Sequence, residues 1–222
     1  FMRTYEKIET IFNRDTTGTK KLILGDFCNE TVQFLKDIEW VFTEKVDGTN
    51  IRVFWDGHKV EFGGRTDSAE IPKALLDSLN NIFGTAEAEE LFEQTFGEKN
   101  VILFGEGYGG KVQGVGNGYR PDESFILFDV LIGENYQARE WVEKTAQMFG
   151  VKVVPVLFTG SLQVGIDYVC GHPKSVVATK DTYMEGVVAR PKVELRDRRG
   201  RRVIVKIKWK DFKDFTKENK NG

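Results

Sequence analysis

"EKVDGTN" (residues 44–50) follows directly on the apolar run "IEWVF" (38–42), which puts an ammonium at the end of what reads as a buried strand. Burying an unpaired lysine is costly, so Lys45 either has a partner or carries chemistry. Asp47 stands two residues on, and K-x-D-G by itself fits a strand-end salt bridge as well as it fits a nucleophile. "WVFTEKV" (40–46) and "IRVFW" (51–55) are aromatic and β-branched and predict strands, with "DGTN" (47–50) as the turn between them.

Working outward, "DGHK" (56–59) predicts a second tight turn into "VEFGG" (60–64). "IPKALLDSLNNIF" (71–83) and "AEAEELFEQTF" (86–96) carry apolar residues at helical spacing, and "AREWVEKTAQMFG" (138–150) is an amphipathic helix closed by glycine. "NVILFGE" (100–106), "SFILFDVLIG" (124–133), "VKVVPVL" (151–157), "EGVVAR" (185–190) and "RRVIVKIKW" (201–209) predict further strands. Hairpin turns dominate where a parallel sheet would need crossover helices, so the fold class is α+β with mostly antiparallel sheets flanked by helices, read as a single domain over residues 1–222. The glycine-rich run "GEGYGGKVQGVGNGYRPDE" (105–123) is long enough to predict a functional loop. Its "GVGNGY" lacks the strand–turn–helix setting of a dinucleotide fingerprint.

A hydrophobic fraction of 40% with 30% charged residues is that of an ordinary soluble globular chain, and no apolar run is long enough to span a membrane. Two cysteines, Cys28 and Cys170, make no disulfide framework and have no metal-ligand spacing, so a reducing, cytoplasmic setting is expected. His58 and His172 have no motif around them and read as surface or loop residues. The net charge of −2 argues against nucleic-acid binding over the whole surface, yet "RPKVELRDRRGRRVIVKIKWKDFK" (190–213) is strongly basic. It predicts either a solvated hairpin or a phosphate-facing surface.

Further stretches bear on Lys45. "GGRTD" (63–67) puts Arg65 at a hairpin exit, and "LFGEG" (103–107) puts Glu106 among glycines that let a ligand approach the backbone. "FILFDV" (125–130) carries Phe128 and Asp129 at a strand end; on periodicity alone Phe128 reads as core and Asp129 as a turn cap. Glu185 opens "EGVVAR", and "VIVKIKW" (203–209) sets Lys206 and Lys208 on one face of a strand. Two like charges side by side there are destabilising unless an anion sits between them.

This ordered set, EKVDGTN, GGRT, FGEG, FILFDV, EGVVAR and VIVKIKW, resembles the covalent nucleotidyltransferase superfamily of ATP-dependent ligases and capping enzymes. Within it, the glutamate before the lysine, "GTN" after it and "GEGYGGKVQG" are similar to the ATP-dependent RNA ligase branch typified by phage nick-sealing RNA ligases. The resemblance spans Glu44 to Lys208. It implies that Lys45 attacks the α-phosphate of ATP to form a lysyl-AMP, with Lys206 and Lys208 as catalytic cations on the phosphate. An amine of ordinary pKa about 10.4 is a poor nucleophile near neutrality, and neighbouring cations favour its neutral form. The resemblance further implies that Asp47 and Glu185 hold Mg²⁺ or Mn²⁺ and that Arg65 and Glu106 contact the ribose. Phe128 would stack on adenine, Glu44 would accept from the adenine amino group, and Asn50 would belong to the nucleotide site. AMP would then pass to a 5′-phosphate end, to be displaced by a 3′-OH.

The implied partner is nucleic acid, RNA or a nicked duplex with RNA on the 3′-OH side, gripped by residues 196–202 and by Lys111. Little sequence follows Lys210, so no C-terminal OB-fold or helical domain is expected, and the chain reads as a nucleotidyltransferase core or a fragment of a longer ligase. The rival readings are a minimal ATP-dependent DNA ligase, a capping guanylyltransferase and a catalytically silent RNA-binding relative.

Overall fold

The computed structural model describes residues 2–218; Phe1 and residues 219–222 of the expected 1–222 span lie outside the described residues. In chain order the first elements are β1 (Glu9–Thr10), β2 (Phe12–Arg14), β3 (Leu22–Phe27), α1 (Glu30–Leu35), β4 (Trp40–Lys45), β5 (Thr49–Trp55) and β6 (Val60–Gly63). Next come α2 (Lys73–Phe83), α3 (Ala86–Phe96), β7 (Val101–Tyr108), α4 (Gly116–Tyr119), β8 (Ser124–Ile132), β9 (Asn135–Tyr136) and α5 (Arg139–Phe149). The last are β10 (Lys152–Val153), β11 (Val156–Gly160), α6 (Leu162–Cys170), β12 (Gly186–Pro191), β13 (Val205–Lys208) and α7 (Trp209–Glu218). The α+β class with mostly antiparallel sheets is the observed one; the parallel pairs among the described residues are β1 with β13 and β10 with β8. None of the described helices is long and apolar enough to cross a membrane.

The chain packs as two compact units. The first comprises Asp47–Val154 with the N-terminal residues through Glu6 and Ala178–Lys180. Its sheet runs β10-β8-β7-β5-β6, with β9 on β8. One sheet face buries Ile51, Val53, Trp55, Leu103 and Leu127 against helices α2, α3 and α5. Leu75, Leu79 and Phe83 form the apolar stripe of α2, as the four-residue spacing dictates. Trp55 stacks on Phe92 of α3 at 5.4 Å and donates its indole N–H to the Gly97 carbonyl. The other face holds a smaller cluster of Phe54, Ile102, Phe104 and Leu131, covered by Met2, Tyr5, Phe128 and Tyr136.

The second unit comprises Lys7–Val46, Pro155–Val177 and the described residues from Asp181 onward. Its sheet runs β1-β13-β12-β4-β11, and β2 and β3 pair separately. Trp40, Phe42, Val187, Ala189, Val205 and Ile207 pack on Leu162, Ile166 and Val169 of α6 and Phe212 of α7. Gly165 permits this contact, because a Cβ there would strike the Phe42 ring.

Two local expectations are corrected. "DGTN" is not a hairpin turn: β4 pairs with β12 and β11, whereas β5 pairs with β6 and β7. The chain leaves one sheet at Lys45 and enters the other at Thr49. Gly48 lies so close to β7 that a Cβ would strike the Gly107 carbonyl oxygen. "VKVVPVL" is likewise not one strand. Pro155 has no N–H to donate, and the run divides there into β10, paired with β8, and β11, paired with β4.

Candidate active site

The two-residue repeat of a strand gives β4 two chemically opposed faces. Trp40, Phe42 and Glu44 are buried, while Val41, Thr43 and Lys45 alternate toward the more open side. On that open side Lys45 stands in register with Gly186 of β12, and Gly186 with Lys208 of β13. Glycine is required in the middle of this row, since a Cβ would strike the Ile207 carbonyl oxygen. Glu185, just before it, sets its carboxylate 3.4 Å from the Lys45 Nζ and 3.5 Å from the Lys208 Nζ. Its backbone carbonyl accepts from the Trp209 N–H at 2.9 Å, which fastens the start of β12 to the end of β13.

Lys206 lies on the same face as Lys208, with Val205 and Ile207 buried between and behind them. No carboxylate lies within ion-pair distance of its Nζ among the described residues. Burial holds the Lys206 ammonium below the usual lysine pKa, and Lys208, Lys45 and Lys7 push the same way, against the pull of Asp211. The structure thus brings Lys45, Glu185, Lys206 and Lys208 together on one sheet face, with more positive than negative charge.

Glu44 is on the opposite face. It is 1% exposed, and its carboxylate accepts from the Ser175 hydroxyl at 2.6 Å and from the Val176 and Val177 backbone N–H groups at 2.7 and 3.2 Å. Burial raises its pKa, and these three hydrogen bonds act to lower it. The 172–184 segment that it clasps closes on itself through Ser175 N–H to the Thr182 carbonyl and Met184 N–H to the Pro173 carbonyl. His172, read from sequence as a surface or loop residue, is in a loop but lies between two rings. It stacks on Tyr183 at 3.8 Å and on Trp209 at 4.0 Å, while Lys174 caps Tyr183 at 3.8 Å. The backbone of His172 is left-handed, with φ of 51°. Neither this stack nor the Glu44 clasp has a sequence signal, because the partners are brought together by the fold.

The first unit carries the remaining candidates. The Asp47 N–H donates to the Tyr119 hydroxyl at 3.0 Å, so the glycine-rich loop fixes the backbone that presents this carboxylate. Cross-strand register places Asn50 opposite Glu106, and Glu106 opposite Ile126. The Asn50 side-chain oxygen is buried without a hydrogen-bond partner among the described residues. Phe128 is the extra residue of a β-bulge, since β7 and β8 shift register between Phe104 and Gly105. A bulge re-aims one side chain, and here Phe128 turns onto the Phe104 face, edge-on to Tyr5 at 5.1 Å. Tyr5 donates to Asp129 at 2.7 Å. Arg65 is exposed at the exit of β6.

Its loop is held by Arg52, a residue that sequence reading passed over. Wholly buried, Arg52 donates to the Gly64 carbonyl at 2.8 Å, the Met2 carbonyl at 2.8 Å and Asp67 at 2.9 Å. An inward-pointing arginine on an otherwise apolar strand was the available signal. No group of three or more His, Cys, Asp or Glu that could hold a metal occurs among the described residues.

Similar folds occur in solved structures. A Naegleria gruberi RNA ligase mutant with ATP and Mn has a TM-score of 0.65 at 18% identity, over 97% of this chain and 59% of its own. Another mutant of that ligase, with AMP and Mn, gives 0.60 at 18% over 87% and 55%, and an apo mutant gives 0.60 at 17% over 86% and 54%. The fold is that of the nucleotidyltransferase superfamily. More narrowly, the model of the RNA ligase family matches residues 38–208, and the chain belongs to that family. It spans little more than half the length of these solved relatives. No curated protein matches it.

Proposed function

We propose that the chain is an ATP-dependent RNA ligase that works through a lysyl-AMP intermediate. The observation that carries this reading is the face on which Lys45 lies in register with Lys208 across Gly186, joined by Glu185 and by Lys206 without a carboxylate partner. Such a face suits an anionic phosphate group better than it suits an empty site. The Lys45 amine, having released its proton to solvent, attacks the α-phosphorus of ATP. A P–N bond forms, the bond from phosphorus to the bridging oxygen breaks, and pyrophosphate leaves with the electron pair. Lys206 and Lys208 neutralise charge on the phosphoryl oxygens. A 5′-phosphate oxygen then displaces the lysine, and a 3′-OH in turn displaces AMP.

Asn50, Arg65, Glu106 and Phe128 are assigned to the nucleoside, with the buried, unpartnered oxygen of Asn50 as the supporting feature. For Glu44, recognition of the adenine amino group is proposed alongside its clasp on residues 175–177. Asp47 and Glu185 are the carboxylates assigned to Mg²⁺ or Mn²⁺. As hard oxygen donors, carboxylates suit a cation that keeps waters and takes further ligands from substrate phosphates. Such a cation, when bound, supplies charge neutralisation at the reacting phosphates. The unpaired thiols of Cys28 and Cys170 agree with a cytoplasmic setting.

Incubation with α-labelled ATP and Mg²⁺ or Mn²⁺, followed by a denaturing gel, tests the reading. Covalent, acid-labile label is expected on the parent chain and none on Lys45→Ala. Lys45→Arg should also stay unlabelled, because a guanidinium keeps its proton. Label surviving in Lys45→Ala would remove the nucleophile assignment.

A further inference from the structure

We infer that the tip of the β12–β13 ribbon is a docking surface for the phosphate backbone of RNA; this rests on the ligase reading above. Between residues 192 and 202 six cationic side chains stand against Glu194 and Asp197, in a chain whose net charge is −2. The structure sorts those cations into two kinds. Asp197 fastens the turn, accepting from the Arg199 and Arg201 backbone N–H groups at 2.9 Å each and from the Arg201 side chain at 2.8 Å. Gly200 closes the turn at φ 76°, and the Asp197 N–H donates to the Arg201 carbonyl at 2.8 Å. Arg202 pairs with Glu194 at 2.8 Å, Arg196 donates to the Gly200 carbonyl at 2.9 Å, and Lys192 pairs with Glu39 at 3.4 Å.

Arg198 and Arg199 are left. Both are exposed at the tip, and neither has an ion-pair partner among the described residues. A loop evolved only for solubility has no need of a buttressed turn that presents two uncompensated guanidiniums side by side. Guanidiniums match phosphate oxygens bidentately, and phosphate contacts position a strand without reading its sequence.

The ribbon connects this tip to the reactive face. β12 and β13 pair continuously from Gly186–Lys208 to Ala189–Val205, and an isolated bridge joins Arg196 to Arg202 beyond. Seven residues separate Arg199 from Lys206, which caps their distance at about 24 Å. That is about seven nucleotides of a stacked strand at about 3.4 Å each. The tip therefore grips the strand no more than about seven nucleotides from the reacting end, with side chains outside the lysine face, so adenylylation of Lys45 is expected to proceed without it.

The test is equilibrium binding of a nicked RNA duplex with a 5′-phosphate at the nick, without ATP, across 50–200 mM salt. The full chain is compared with Arg198→Ala/Arg199→Ala and with Lys99→Ala/Lys152→Ala, a charge-matched pair of exposed lysines in the first unit. Two lost phosphate contacts should make the slope of log K against log salt shallower by about 1.5–2. The affinity gap between the arginine variant and the parent chain should then shrink about tenfold from 50 to 200 mM. The lysine pair should bind as the parent does, and ATP labelling should be intact in both variants. An unchanged slope in the arginine variant, or an equal change in the lysine variant, overturns the docking surface. Absence of ATP labelling in the parent chain overturns the ligase reading instead, and the binding slopes distinguish the two failures.

Discussion

Replacing Lys206 by methionine probes the charge balance of the lysine face with no assumption about substrate. Glu185 is taken up by Lys45 and Lys208, so Lys206 has Lys208, Lys45 and Lys7 acting against its charge and Asp211 acting for it. Same-face neighbours on a strand are about 7 Å apart. Two unit charges at that distance repel by about 0.6 kcal/mol in water and about 2.4 kcal/mol at an effective dielectric of about 20. The Lys206 head is only half-buried, so screening draws the figure down to about 1 kcal/mol. For a chain of this length Lys206→Met should therefore raise Tm by about 2–4 °C at pH 7 and low salt.

The sign with pH follows from the lowered pKa of Lys206. Below its folded value both folded and unfolded chains hold the proton, and the charge penalty is fully present. As pH rises from that value toward the ordinary 10.5, only the folded chain has lost the proton, so wild-type stability climbs. The advantage of the methionine variant should thus shrink between pH 7 and pH 10, and also in 1 M salt. Added pyrophosphate should raise the Tm of the parent chain more than that of the variant. Thermal melts under these conditions read all three effects. A Lys206→Met chain that melts below the parent at pH 7 would mean that Lys206 is held by a partner, and the account of this face would be wrong.

Two further substitutions address the buried glutamate and the bulged phenylalanine. Glu44→Gln keeps an acceptor for the Val176 and Val177 N–H groups and should cost little stability, whereas Glu44→Ala orphans the clasp and should cost about 2–3 kcal/mol in denaturant unfolding. If Glu44 also reads the adenine amino group, Glu44→Gln should lose ATP-over-GTP preference in labelling; unchanged preference would assign the residue to the clasp alone. Phe128→Ala should weaken ATP use by about 1–3 kcal/mol, with Phe128→Trp close to the parent. A matching loss of global stability in the alanine variant, with no specific nucleotide effect, would assign the ring to the Tyr5–Phe104 cluster.

What the sequence made legible was local and periodic. Leu75, Leu79 and Phe83 announce their helix by spacing, and the alternation of Val205, Lys206, Ile207 and Lys208 announces two lysines on one face, as found. What it hid depends on long-range pairing. "DGTN" has the composition of a hairpin turn, but whether its flanking strands pair is decided by β12 and β7, far along the chain. Helix α6 was missed because Gly165 and the β-branched residues of "LQVGIDYVC" weaken helical propensity, whereas packing on Phe42 demands the glycine. Arg52 and His172 looked incidental because three carbonyl and carboxylate acceptors in one case, and two aromatic rings in the other, come from remote segments.

The opposed faces of β4 also check the register in which the strand docks. Paired one residue out, every side chain of the strand would change sides, and Lys45 would turn inward while Glu44 turned outward. The Val176 and Val177 N–H groups would then point their positive ends at an ammonium, a clash of sign where shape alone would raise little objection. A pair of backbone amides, far along the chain from β4, thus proofreads the strand by polarity and admits the one alignment that leaves the Lys45 amine outside the core.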